Sequence, residues 1–102
     1  MTKESYVTKV LPVSIKFYIP RIEGFMGVVK EIVSQYGSVS LFEFDGYFEG
    51  KFEPLKYTRL EVHTENVMEQ QVIEYANRIR VLLKQSSLAF EFNNKLLLVT
   101  KS

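Results

Sequence analysis

A single histidine, two residues from a glutamate, is the nearest this chain comes to a catalytic constellation. Arg59, Glu61 and His63 alternate along one strand-like run, which sets all three on the same face. Histidine exchanges a proton near neutral pH, and a carboxylate or guanidinium beside it can orient that exchange. Chemistry of this kind fits a small cofactor-free oxygenase or isomerase. The plainer reading is a surface histidine close to a helix start. One histidine and no cysteine also make a poor donor set for a transition metal, so neither metal nor cofactor is expected.

Two further features invite chemistry. Glu43 and Glu91 sit at matching places in two Phe-Glu-Phe segments, Phe42–Phe44 and Phe90–Phe92. Paired carboxylates can do acid–base work or hold a divalent ion. Strand alternation alone also puts a polar residue between two phenylalanines. The second feature is a group of rings. Alternation places Tyr18, Phe42, Phe44, Tyr47 and Tyr57 on one sheet face, with Lys16, Arg59 and His63 among them. Such a face can bind a ligand, stack RNA bases, or close onto a second copy of itself.

Composition narrows these choices. With 13 basic and 12 acidic residues the net charge is +1, which gives no strong pull toward nucleic acid. The absence of cysteine removes disulfides, thiolate metal sites and cysteine nucleophiles. No apolar run approaches the roughly 20 residues that span a bilayer, and the amino-terminal residues lack the apolar block of a signal peptide. The expectation is a soluble, cytoplasmic protein with no membrane contact. Its 102 residues suit one domain, with about residues 9–100 ordered.

The positioning elements follow from periodicity. Val13, Ile15, Phe17 and Ile19 alternate with polar residues as in a half-buried strand. Ile22 to Tyr36 carries apolar residues at helical spacing, and Gly37 is suited to stop that helix. Gly24 and Gly27 weaken its first turn unless it begins late. Val39 to Phe44 reads as a strand, and Asp45-Gly46 as a two-residue hairpin turn, although 45–54 could equally be a plain loop. In the hairpin register Phe44 would face Tyr47 and Phe42 would face Glu49. Leu55 to Thr64 alternates again, with Thr58, Leu60 and Val62 on the buried side. Asn66 with Glu69 resembles a capping box, and Met68, Val72, Tyr75, Ile79 and Leu82 or Leu83 form the stripe of a second helix. Leu88 to Phe92 turns through Asn93-Asn94 into Lys95–Thr100, where Leu96 to Val99 are apolar on both faces.

The chain therefore reads as strand–helix–strand written twice, an α+β layout. It resembles the ferredoxin-like βαββαβ plait: a four-stranded antiparallel sheet with two helices on one face and extra short hairpin strands. In size and order it is similar to small oligomeric regulators of the PII-like kind. That resemblance is of layout only and implies no nucleotide site, because Asp45 to Pro54 is short and has no basic cluster beyond Lys51.

The resulting expectation is a small non-enzymatic regulatory or accessory protein. It would form a homodimer or higher homo-oligomer and bind a small molecule or a protein partner through the face of Lys16, Tyr18, Phe42, Phe44, Tyr47, Tyr57, Arg59 and His63. The alternatives are a small enzyme using His63 with Glu61 or Arg59, or an RNA-binding sheet.

Overall fold

The computed structural model describes residues 4–102, with side chains described outside 45–48 and 53–55. The order is β1 (Val13–Pro20), α1 (Phe25–Tyr36), β2 (Ser40–Phe48), β3 (Lys51–Thr64), α2 (Glu69–Leu82), β4 (Ser87–Phe92) and β5 (Lys95–Thr100). The strands form one antiparallel sheet in the order β2-β3-β1-β4-β5. The architecture is α+β, with five strands where four were expected. The Lys95–Thr100 segment joins the sheet edge, because Asn93 and Asn94 both accept positive φ and turn it back onto β4.

One face of β1 is buried throughout: Ile15, Phe17 and Ile19 have no solvent exposure. The ladder partners on that face, Leu60 and Val62 of β3 and Phe90 of β4, are buried with them. Both helices cover this face. α1 contributes Val28, Val29 and Ile32, and α2 contributes Val72, Tyr75, Ala76 and Ile79. The ring of Phe17 touches Tyr36 at 6.1 Å and Tyr75 at 5.9 Å, so it lies under both helices at once. Fully burying a side chain of this kind stabilises by roughly 1.5–3 kcal/mol.

The helix ends obey local rules but not always the expected ones. α1 begins late, after Gly24 at φ 91°, and closes at Gly37, whose N–H reaches the Val33 carbonyl at 2.7 Å. α2 is capped from within: the Met68 N–H donates to Gln71 Oε1 at 2.8 Å. Asn66 instead takes positive φ in the preceding turn, so the Asn66–Glu69 capping box does not form. Leu83 closes the stripe, being buried where Leu82 is exposed.

The β2–β3 hairpin differs from the sequence expectation. The turn is Glu49-Gly50, with φ of 51° and 77°, not Asp45-Gly46. β2 runs straight through Asp45-Gly46 with a register irregularity between Phe44 and Gly46. The ladder partners are Phe44 with Tyr57 and Phe42 with Arg59, in place of Tyr47 and Glu49. Extending the ribbon adds ladder hydrogen bonds, and the irregularity absorbs Pro54, which cannot donate one.

Candidate functional site

The sheet face turned away from the helices carries most of the residues singled out above. The register sets Ser14, Lys16 and Tyr18 of β1 beside His63, Glu61 and Arg59 of β3. Phe42 and Phe44 of β2 flank Arg59 and Tyr57. Glu91 of β4 lies opposite Lys16, and Leu96 and Leu98 of β5 complete the face. The side chain of Tyr47 falls outside the described residues.

Contacts on this face sort into two groups. Around Arg59, the guanidinium carbon sits 4.8 Å from the Phe42 ring centroid, and Nε lies 2.9 Å from Glu61 Oε1. The Nε–H does not point along that contact, so the pair is held by charge rather than by a formed hydrogen bond. Around Tyr18, the Phe44 ring packs edge-on at 5.8 Å and itself stacks on Tyr57 at 6.0 Å. The Tyr18 hydroxyl donates to Glu91 Oε2. Burial, then that bond to a carboxylate, pushes the Tyr18 hydroxyl up to about 12. At neutral pH it is a protonated donor and not a base.

His63 belongs to neither group. It is exposed at the far end of β3, six positions from Tyr57, or roughly 20 Å along the strand. Arg59 and Glu61 form an ion pair with each other. Glu43 and Glu91 are not brought together either. Glu43 lies on the helix side of the sheet and pairs with Arg21, whereas Glu91 is on the open face with Tyr18. The two Phe-Glu-Phe segments thus present opposite faces. Among the described residues, no three His, Asp or Glu side chains gather where they could share a metal ion.

The rings around Tyr18 form one wall of a cleft of 570 Å³. Its origin is in the sheet. β1 pairs with β3 over the whole span Val13–Pro20, but with β4 only through Ile15, Lys16 and Phe17. Beyond Phe17 the strands part, and the gap opens between Tyr18–Pro20 and Ser87–Ala89. Tyr18, Phe44 and Tyr57 line one side. Leu88, Ala89 and Leu98 line the other, and Gln85, Ser86 and Ser87 bring hydroxyl and amide groups to its rim. Both volume and mixed lining match a site for a flat small molecule. Gln85, Ser86 and Ser87 had no motif to mark them; only the parting of β1 and β4 makes them part of a site.

On the helix side two polar groups lack partners. The Tyr75 hydroxyl is buried beside Tyr36, and burial pushes its ionisation well up. Thr58 Oγ1 is buried among apolar neighbours. Both belong to the core. Among the described residues no helix is long and apolar enough to cross a membrane.

No protein-family model matches the chain. No curated protein matches it by sequence. Among solved structures it is similar to a phage SAM (S-adenosylmethionine) lyase in complex with S-methyl-5'-thioadenosine, with a TM-score of 0.68 and 14% identity over 97% of each chain. At that identity the likeness is one of fold. It overturns the expectation of a non-enzymatic regulatory or accessory protein, because the protein matched along nearly its whole length is an enzyme.

Proposed function

We propose that this chain is a small enzyme that binds an adenosyl sulfonium compound in the Tyr18 cleft and splits its carbon–sulfur bond without water, as a lyase. The observation that carries this reading is the aromatic-walled 570 Å³ cleft on a fold shared with a SAM lyase. In this proposal residues 9–100 act as one domain, a ferredoxin-like plait with β5 added at its edge.

The lining suits such a ligand. Tyr57, stacked on Phe44, offers a flat face to an adenine ring, and stacking of a base on an aromatic side chain contributes roughly 1–3 kcal/mol. The ribose hydroxyls have partners in Ser86, Ser87 and Gln85. The Tyr18 ring is an electron-rich surface for a cationic sulfur, with the Glu91 carboxylate holding its hydroxyl in place.

The reaction makes few demands on side chains. As the bond breaks its electron pair leaves with the sulfur as a neutral thioether, and an oxygen of the ligand's own carboxylate bonds to the carbon it leaves and closes a lactone, so no side-chain acid or base is needed. Positive charge drains from sulfur as the bond breaks, so aromatic and apolar walls, which solvate a cation less well than water does, favour the transition state. Catalysis then rests on orientation. Glu91 is a positioning residue here, and His63 has no part in the step.

Self-association is also part of the proposal. Leu96 and Leu98 are 67% and 61% exposed on the same open face, next to the cleft, and an apolar strip of that kind suits contact with a second copy.

The test is chemical-shift mapping with S-methyl-5'-thioadenosine as the probe. Shifts should concentrate on Tyr18, Tyr57 and Ser86–Ala89 and spare His63. Absence of binding, or shifts centred on His63, would contradict the reading.

A further inference from the structure

A second cleft adjoins the first. It measures 480 Å³ and is lined by Arg80, Val81, Lys84, Gln85, Ser86 and Lys101. Gln85 and Ser86 line both clefts, so the two meet across one turn. Three of the lining residues are cationic, and none is a carboxylate.

Arg80 is the distinctive member. Each of the other three arginines faces a carboxylate: Arg21 with Glu43, Arg59 with Glu61, and Arg78 with Glu31. Arg80 is held by neutral acceptors instead. Its Nε donates to Asn77 Oδ1 at 2.9 Å and one terminal nitrogen to the Gln85 carbonyl at 3.0 Å. The guanidinium is fixed in place while its charge stays uncompensated. Lys84 and Lys101 make no ion pair among the described residues.

Cations at a helix C-terminus complement its dipole, and that alone would account for Arg80 and Lys84. It does not account for Lys101, which arrives from beyond β5. The Lys101 backbone N–H donates to the Ser86 carbonyl at 2.8 Å and ties this third cation to the shared turn.

We infer that Arg80, Lys84 and Lys101 form an anion subsite that takes the carboxylate of the ligand's amino-acid arm while its adenosyl part occupies the Tyr18 cleft. The inference rests on the adenosyl-sulfonium reading of that cleft. It makes the substrate a bipartite molecule: a flat adenosyl end in the aromatic cleft and a zwitterionic amino-acid end whose carboxylate lies across the Gln85–Ser86 turn. A guanidinium anchored by neutral partners, with two lysines beside it, offers a carboxylate charge-assisted hydrogen bonds.

Two probes separate the two parts. S-Methyl-5'-thioadenosine lacks the amino-acid arm, and S-adenosylmethionine carries it. Affinities of both are measured by calorimetry for the native chain and for Lys101→Gln, Lys84→Gln and Arg80→Gln. Lys101→Gln is the cleanest variant, because the bond to Ser86 is made by the backbone and survives. The expected result is a loss of roughly tenfold in S-adenosylmethionine affinity for each variant, with S-methyl-5'-thioadenosine affinity changed less than twofold. If both probes bind and the variants leave S-adenosylmethionine affinity unchanged, the anion subsite is overturned and the cleft reading stands. If the native chain binds neither probe, the cleft reading fails and the inference fails with it.

Discussion

Replacing Tyr18 by phenylalanine removes one hydroxyl and leaves the ring. In the native chain that hydroxyl donates to Glu91 Oε2 on a half-buried face. A hydrogen bond to a charged acceptor contributes roughly 1.5–3 kcal/mol when shielded. The Tyr18–Glu91 pair is partly open to solvent, which screens it, so a loss of about 1 kcal/mol is the expected cost. For a chain near 100 residues that corresponds to a melting point lower by about 5 °C. The double variant Tyr18→Phe, Glu91→Leu should recover most of the loss, because no unpaired carboxylate is left behind. The aromatic wall persists in Tyr18→Phe, so affinity for S-methyl-5'-thioadenosine should fall less than about threefold. Thermal denaturation followed by circular dichroism, with calorimetry for binding, reads both quantities. A single variant that melts at or above the native temperature would refute the claim that this contact holds the cleft wall.

Other outcomes follow from the same structure. Tyr57→Ala removes the ring stacked on Phe44 and should weaken S-methyl-5'-thioadenosine binding by about 5- to 150-fold, measured by titration; an unchanged constant would exclude stacking at that position. Thr58→Val replaces a buried hydroxyl that has no partner and should raise stability by about 1 kcal/mol in urea denaturation, whereas a loss would mean that the hydroxyl is satisfied. Raising the pH should destabilise the fold. Burial pushes the Tyr36 hydroxyl up to about 12 from 10.0, and burial with the Glu91 contact does the same for Tyr18. The unfolded chain therefore loses these protons first. Stability should hold up to about pH 10 and fall as the pH rises through 12, with urea midpoints as the readout.

Much of the frame was legible because alternation and helical spacing are local signals. The buried stripe Ile15, Phe17, Ile19 and the division of β3 into Thr58, Leu60, Val62 against Tyr57, Arg59, Glu61, His63 both stood out in the sequence. So did the open face with Tyr18, Phe42 and Phe44, and the Asn93-Asn94 turn. What local pattern cannot set is phase and partner. Phe-Glu-Phe occurs twice, yet Phe42 is 43% exposed while Phe90 is buried, because Phe42 pairs with Arg59 on the open face and Phe90 with Phe17 on the face under the helices. Asp45-Gly46 is the better isolated turn, but the ladder to β3 carries the chain past it to Glu49-Gly50. The cleft needs three stretches far apart in sequence: the end of β1, the start of β4, and Leu98 of β5. Its existence depends on where the β1–β4 ladder stops, which no residue type announces. His63 drew notice for its chemistry, and the structure sets it away from the cleft.

Cleavage itself is read by incubating the native chain with S-adenosylmethionine and following release of S-methyl-5'-thioadenosine by liquid chromatography and mass spectrometry. Tyr57→Ala and His63→Ala serve as the paired controls. Steady release is expected from the native chain and from His63→Ala, with a large loss in Tyr57→Ala. No release by the native chain, or release abolished by His63→Ala and untouched by Tyr57→Ala, would contradict the lyase reading.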